Sequence, residues 1–333
     1  ETKYFLQKVK AGFDEADKTR SNEYQRIEFL EENKAQIFSE LNKRFGKIGK
    51  ITRDLDKKSY DIYQHYFHQV LEPLLGRGIE INDHIYKKPL GYPGDYMVQN
   101  YILDYHKGRY LGHTAYQKLI NHYTCNIPIS RSNVRRKDFF KSKILELSQR
   151  KDCTRILSVA SGPVREIIEL TREGNIVKPL IFKCIDFEER TLGYIKDEIE
   201  KIDEKKRQFL KIEYIRKNIP SLIRDKKLKE EVGKHDMIYS SGLFDYLTDG
   251  LATRFIQLLY GLLSKDGILI ICNASLKNDG LRAYYELLGN WVFYHRTKEQ
   301  LLEWAKGIKT AQEITFEQPH GGESYLYMLL KRG

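Results

Sequence analysis

Apolar residues in the first half of the chain recur at three- and four-residue spacing. Ile37, Leu41, Phe45 and Ile48 form one stripe, and Tyr60, Tyr63, Tyr66, Phe67 and Val70 another. This period predicts amphipathic helices from Lys3 to about Leu75. Lys88-Pro89-Leu90-Gly91-Tyr92-Pro93-Gly94-Asp95-Tyr96 then packs prolines and glycines too closely for a regular helix and predicts a rigid loop. More helical sequence follows, through Tyr101, Leu103, Tyr116 and Leu119, and a basic amphipathic segment ends near Arg150. The first half therefore reads as all-helical with one loop.

After Lys151 the pattern changes. Short apolar runs at Arg155–Val159, Leu180–Ile185, Ile212–Ile215, Met237–Tyr239 and Ile268–Cys272 read as buried parallel strands. Amphipathic segments alternate with them. The clearest carries Leu251, Phe255, Leu258, Leu259 and Leu262 on one stripe and is closed by Asp266-Gly267 before the next strand. Glu313–Phe316 and Ser324–Leu330, separated by Pro319-His320-Gly321-Gly322, predict a terminal antiparallel hairpin. The expected fold is α/β: a Rossmann-like parallel sheet over residues 151–333, preceded by a helical domain over residues 1–150 that serves as lid or substrate-binding element.

Composition narrows this little. No apolar run approaches the length of a membrane span. The opening Glu1-Thr2-Lys3 is what a trimmed leader would leave. Cys125, Cys153, Cys184 and Cys272 are scattered without metal-ligand or disulfide spacing, which suits reduced thiols, a cytoplasmic setting and no metal site. The net charge of +11 is uneven: residues 1–150 carry 27 Lys/Arg against 19 Asp/Glu, and the remainder 30 against 27. The excess peaks at Arg131, Arg135, Arg136, Lys137, Lys141 and Lys143. Such a run suits a protein or acidic partner, RNA or an anionic surface, or else a solvated helix face.

The chemistry-bearing residues follow the strands. The first strand runs into Ala160-Ser161-Gly162-Pro163, where small residues let a ligand approach backbone N–H groups at a helix start. The second ends at Asp186, 24 residues beyond Gly162, where a carboxylate can accept ribose hydroxyls; Phe187 could pack on adenine. The helix-cap reading of Asp186 competes. The fourth strand empties into Ser240-Ser241-Gly242-Leu243-Phe244-Asp245-Tyr246-Leu247, at the carboxyl edge where open α/β sheets bind ligands. Asp245 also suits a cap for a helix starting near Thr248. No Walker-type or hydride-transfer motif is present.

With Ile156–Pro163, Glu166, Asp186 and Ile238–Leu247 in this order, the chain resembles class I S-adenosylmethionine-dependent methyltransferases. It is most similar to the bacterial proteins of extracellular-factor 3-hydroxypalmitic acid methyl ester biosynthesis. The resemblance extends to Gly91–Tyr96 and to Trp291-x-x-Tyr294-His295-Arg296-Thr297, over roughly residues 85–330. It implies an S-adenosyl-L-methionine site formed by Ala160, Ser161, Gly162, Glu166, Asp186, Phe187, Asn218, Ser240, Gly242, Leu243 and Phe244. Asn218 would face adenine. Ser158 and Ala160 depart from the usual acidic residue and first glycine, and Asn290 replaces an acidic residue, a change that could alter substrate choice.

Tyr92, Asp95, His295 and Arg296 are the candidates for acting on the acceptor. A carboxylate acceptor needs positioning, for which Arg296, His295 and Tyr92 are suited. An amine or hydroxyl needs a base, for which His295, Asp95 or Asp245 are suited. The leading expectation is methylation of a small or lipid-like acceptor, such as a hydroxy-fatty-acid carboxylate. Methylation of a protein side chain or RNA is a second reading, and a regulatory module that binds the cofactor without turnover a third. The loop at Tyr92 is expected to close over the active site.

Overall fold

A computed structural model describes residues 1–225, 227–278 and 281–333. The chain forms two compact units: Glu1–Arg131 with Asp279–Val292, and Ser132–Asn278 with Phe293–Gly333. The change in texture near Lys151 therefore falls after the start of the second unit, and the first unit also takes a late segment that no periodicity announces. Among the described residues no helix is long and apolar enough to cross a membrane.

The first unit is helical, as its spacing demands. Its longest helix, Glu23–Thr52, buries Leu41, Phe45 and Ile48 from the stripe read in sequence. The late helix Arg282–Gly289 is held by polar and aromatic contacts at once. Tyr284 packs edge-on against Phe45 and Tyr123, with ring centroids at 4.9 and 5.2 Å. Its hydroxyl accepts from Asn82 Nδ2 at 2.8 Å and lies 2.7 Å from Thr124 Oγ1, so a buried polar group keeps its partners. The helix can lie close because Gly289 has no side chain: a Cβ there would stand 2.2 Å from Ile85 Cγ2.

The second unit is a seven-stranded sheet in the order β3-β2-β1-β4-β5-β7-β6. Its strands are β1 Thr154–Val159, β2 Leu180–Asp186, β3 Leu210–Arg216, β4 His235–Ser240, β5 Leu263–Ala274, β6 Ala311–Glu317 and β7 Tyr325–Arg332. β1 to β5 run parallel; β7 is antiparallel to β5 and to β6. The chain is thus doubly wound about the β1–β4 junction, and the terminal hairpin is the one expected. One detail differs. Asp266-Gly267 lies inside β5, because that strand starts at Leu263 to pair with His235. The left-handed Asp266 (φ +60°) and Gly267, where a Cβ would meet the Ser264 and His235 carbonyl oxygens at 2.9 and 3.0 Å, make a kink within the strand.

Alternation along the strands separates two faces. Leu157, Val159, Ile185, Ile238, Leu269, Ile271, Leu326 and Met328 share a core with the helices Asp249–Gly261 and Lys298–Ala305. On the opposite face Tyr239 stacks on Phe140, with centroids 4.3 Å apart, and Tyr327 meets Phe139 at 4.8 Å. Both phenylalanines come from the helix Pro128–Arg150, whose Ser132, Arg136, Phe140, Ile144 and Ser148 are buried at four-residue spacing.

Candidate functional site

β1 and β2 deliver the first part of the site. After Val159 the backbone is left-handed at Ala160, Gly162 and Val164, with φ of +50°, +56° and +38°. For a β-branched residue this is an uncommon conformation, held here by surrounding structure rather than local preference. Ser161 fixes the turn: its N–H donates to the Ile185 carbonyl at 3.2 Å, and its hydroxyl donates to those of Ser158 and Ile185. A Cβ on Gly162 would meet nothing within 4 Å, so there is open space above the turn.

Asp186, at the end of β2, closes the other side. Its Oδ2 accepts from Gly162 N–H at 3.1 Å and its Oδ1 from Glu188 N–H at 3.0 Å. The carboxylate therefore binds the turn of the neighbouring strand as well as the start of its own loop, and Glu188, rather than Asp186, caps the helix Glu189–Glu200. Burial raises the pKa of Asp186, against the backbone N–H groups of Glu188, Gly162 and Phe187, which lower it. The next side chain, Phe187, is 48% exposed.

Behind the turn, Glu166 lies in the first turn of the helix Arg165–Glu173, buried. It accepts a hydrogen bond from the Tyr239 hydroxyl on β4. Burial raises the Glu166 pKa and this bond opposes the rise. Tyr239 is not a residue that the sequence singles out, since within an apolar strand its ring reads as core.

Several expected site residues have other employment. Asn218 caps the helix Ile219–Arg224, its Oδ1 accepting from Ser221 N–H at 2.9 Å. Phe244 is fully buried, 5.9 Å from the Trp304 ring and 6.0 Å from Phe255, and Leu243 packs against the same core. Ser240 is fully buried with a hydroxyl that has no hydrogen-bond partner.

Arg296 is not presented as a clamp. It is buried, and its guanidinium donates to Asp249 Oδ1 at 2.9 Å, Asn273 Oδ1 at 2.9 Å, and the Phe244 and Leu247 carbonyls at 3.1 and 2.5 Å. It fastens the segment after β4 to the end of β5. Asp245 does the same rather than capping a helix: its Oδ1 accepts from Ala274 N–H at 2.5 Å, and the following helix begins at Thr248-Asp249 without a side-chain cap. Burial pushes the Asp245 pKa up to about 7, against the Ala274 N–H, Arg136 and Arg296. His295 is half-buried with Nδ1 3.2 Å from the Phe293 carbonyl oxygen. His320 is exposed beside a turn in which Gly322 N–H donates to Pro319 O.

In the first unit, Asp95 is buried as the N-cap of the helix Tyr96–Tyr105. Its Oδ1 accepts from Met97 and Val98 N–H, and its Oδ2 lies 2.7 Å from His84 Nε2. Tyr92 is half-buried in the same loop. Trp291 packs against that loop so tightly that a Cβ on Gly94 would lie 2.4 Å from its Cζ2. The two motifs linked by the sequence resemblance thus meet. Asn290 has a conformational explanation: it ends the helix Arg282–Gly289 with φ +48°, a left-handed position that asparagine tolerates.

The basic run is largely spent inside the second unit. Lys137 pairs with Glu169 at 2.7 Å, Lys141 with Glu173 at 2.5 Å, and Lys143 with Glu317 at 2.7 Å. Arg136 is buried, its Nη1 donating to the Ser241 carbonyl at 2.6 Å. Neither a solvated face nor a continuous patch for an acidic partner describes these four residues. The available signal is their neighbour: Arg136 stands four residues before Phe140 and eight before Ile144, on the buried stripe.

No family model and no curated protein matches the chain. Among solved structures it is similar to a protein from Bordetella parapertussis described as a possible exported protein, at 13% identity, covering 77% of this chain and 87% of that one, with a TM-score of 0.55. It is also similar to the methyltransferase domain of bacterial CtHen1-CN, at 13% identity over 60% and 99% of the two chains, TM-score 0.44. A third is the N-methyltransferase NodS from Bradyrhizobium japonicum in complex with S-adenosyl-L-homocysteine, at 13% identity over 62% and 89%, TM-score 0.40. The strand order and antiparallel last pair are those of the Rossmann-like class I methyltransferase sheet, here preceded by a helical N-terminal region.

Proposed function

We propose that the chain transfers the methyl group of S-adenosylmethionine to a small-molecule acceptor. The observation that carries this reading is the Gly162–Asp186 hydrogen bond, which joins the carboxyl ends of β1 and β2 beside the switch point of a doubly wound sheet. The residues fit the cofactor. The Asp186 carboxylate accepts from backbone N–H groups of Gly162, Glu188 and Phe187, and its roughly four lone-pair sites leave room for a ribose hydroxyl. Phe187 offers an exposed ring for adenine, and the turn Ala160–Gly162 leaves room for the amino-acid end. Glu166 and Tyr239 hold the turn from behind.

When bound, the sulfonium supplies an electrophilic methyl group, so the protein has to align and dry the acceptor rather than activate it strongly. A carboxylate acceptor, with a hydroxy-fatty acid and its methyl ester as the specific case, needs no base. Tyr92 and His295 are the acceptor-side candidates retained from the family resemblance; Arg296 and Asp95 hold backbone. Methylation of RNA or protein gains no support, because Lys137, Lys141 and Lys143 already have carboxylate partners.

The test is calorimetric titration with S-adenosylhomocysteine, then incubation with methyl-labelled cofactor and 3-hydroxypalmitate. Binding that drops about 10- to 100-fold in Asp186→Ala, with label in the lipid fraction, is the expected result. Wild-type protein that binds no nucleoside overturns the reading; binding without any S-adenosylhomocysteine formation reduces it to a regulatory module.

A further inference from the structure

Arg136 is a buried cation that no described carboxylate pairs with. An isolated guanidinium removed from water is costly unless hydrogen-bonded and compensated. Its Nη1 donates to the Ser241 carbonyl at 2.6 Å, and the Tyr325 ring lies 4.4 Å below Cζ. Among the described residues no Asp or Glu oxygen comes within 4.0 Å of it. Asp245 is near enough to act on it through its charge, but that carboxyl is itself tied to Ala274 N–H.

The surroundings are arranged around this charge. Tyr327, two residues along β7 from Tyr325, is fully buried with a hydroxyl that has no hydrogen-bond partner. A Cβ on Gly242 would stand 3.5 Å from Arg136 Nη1 and 3.7 Å from Nη2, so the guanidinium lies directly over a glycine. The register places it in the fold. Ser158 pairs with Tyr239, so the Ser241–Gly242 backbone leaves β4 beside the Ala160–Gly162 turn leaving β1. Neighbouring strands are only about 4.8 Å apart. The guanidinium therefore stands at the carboxyl edge of the sheet, one strand from the proposed cofactor cradle, and the orphaned Tyr327 phenol lies on β7, two strands further along.

We infer that Arg136 binds a carboxylate at the carboxyl edge of the sheet, completed by Tyr327, and that this carboxylate belongs to the cofactor's amino-acid end or to an acidic acceptor. The inference rests on the methyltransferase reading for the identity of those two sources, though not for the site itself. Guanidinium is suited to this task because it offers two parallel N–H donors to one carboxylate and stays charged when buried. The neighbouring Lys137 and Lys141 are excluded from the role by their own ion pairs.

The test compares wild type with Arg136→Gln and Arg136→Lys, each checked for a native circular dichroism spectrum. Affinity is measured for S-adenosylmethionine, for its decarboxylated analogue, and for 3-hydroxypalmitate against 3-hydroxypalmitamide. If the cofactor supplies the carboxylate, wild type prefers S-adenosylmethionine about 10- to 100-fold over the decarboxylated analogue, and Arg136→Gln abolishes that preference. If the acceptor supplies it, cofactor affinity is unchanged and Arg136→Gln erases the preference for the acid over the amide. Arg136→Lys retains part of either preference. Folded variants that keep every preference of the wild type overturn the inference, as does a wild type with none. A wild type that binds neither nucleoside but prefers the acid to the amide overturns the methyltransferase reading and supports the carboxylate site.

Discussion

The Tyr239 hydroxyl donates to the buried Glu166 carboxylate, tying β4 to the helix that follows the turn after β1. Removing the donor in Tyr239→Phe leaves the buried Glu166 carboxyl without this partner and costs about 1–3 kcal/mol. Glu166→Gln should cost less, since an amide still offers an oxygen and needs no charge solvated. Urea unfolding of both variants at pH 7 checks the order; a Tyr239→Phe protein as stable as Glu166→Gln contradicts it.

Asp245 gives a pH signature. Its pKa is pushed by burial from 3.8 to about 7, so the native state holds this proton more tightly than the unfolded chain. Its contribution is most favourable below its unfolded value and is lost as pH rises through the folded one. A tenfold difference in proton affinity between the two states corresponds to about 1.4 kcal/mol. Asp245→Asn should therefore raise the Tm relative to wild type at pH 8 and change it little at pH 4. A difference that is the same at both pH values counts against a raised carboxyl.

Arg296 separates a structural role from a substrate role. Losing its bonds to Asn273 and two buried carbonyls in Arg296→Met should destabilise the protein by about 1–3 kcal/mol for each acceptor left unpaired, with little added by the exposed Asp249. The folded fraction should keep its KM for the acceptor. Thermal melts and initial rates on the same preparation check this, and a raised KM with unchanged Tm would return Arg296 to the role of clamp.

Two glycines should fail for different reasons. In Gly94→Ala the new methyl meets the Trp291 ring at 2.4 Å, an overpacking expected to cost about 1–3 kcal/mol in stability. In Gly162→Ala nothing is struck, and the left-handed backbone costs only about 1–2 kcal/mol. The added methyl instead occupies the open space above the turn, so binding of S-adenosylhomocysteine should weaken more than stability falls. Paired melts and titrations distinguish the two.

Legibility in the sequence follows the range of the interactions involved. Asp186 is legible because strand, turn and carboxylate lie in one short stretch and their spacing is itself the signal. Arg296 reads as a clamp because an arginine beside a histidine in a loop gives no hint that four acceptors from three segments converge on it. Asn290 reads as chemistry, when its left-handed backbone is sufficient reason for asparagine. Arg136 is hidden by charge, since a basic residue among others reads as surface until its place on a buried stripe is noticed.

The sequence by itself determined the helical first half, the alternation of strands and helices after it, the terminal hairpin, the turn at Gly162 and the place of Asp186 at the end of the second strand. These depend on local periodicity and on turn residues, which act over a few positions of the chain. Only the tertiary structure decided which polar residues hold backbone and which face open space. It decided too that Asp279–Val292 joins the first unit and that Arg136 is buried with no carboxylate at ion-pair distance among the described residues. Burial and hydrogen-bond partnership are properties of segments far apart in sequence, and no local pattern records them.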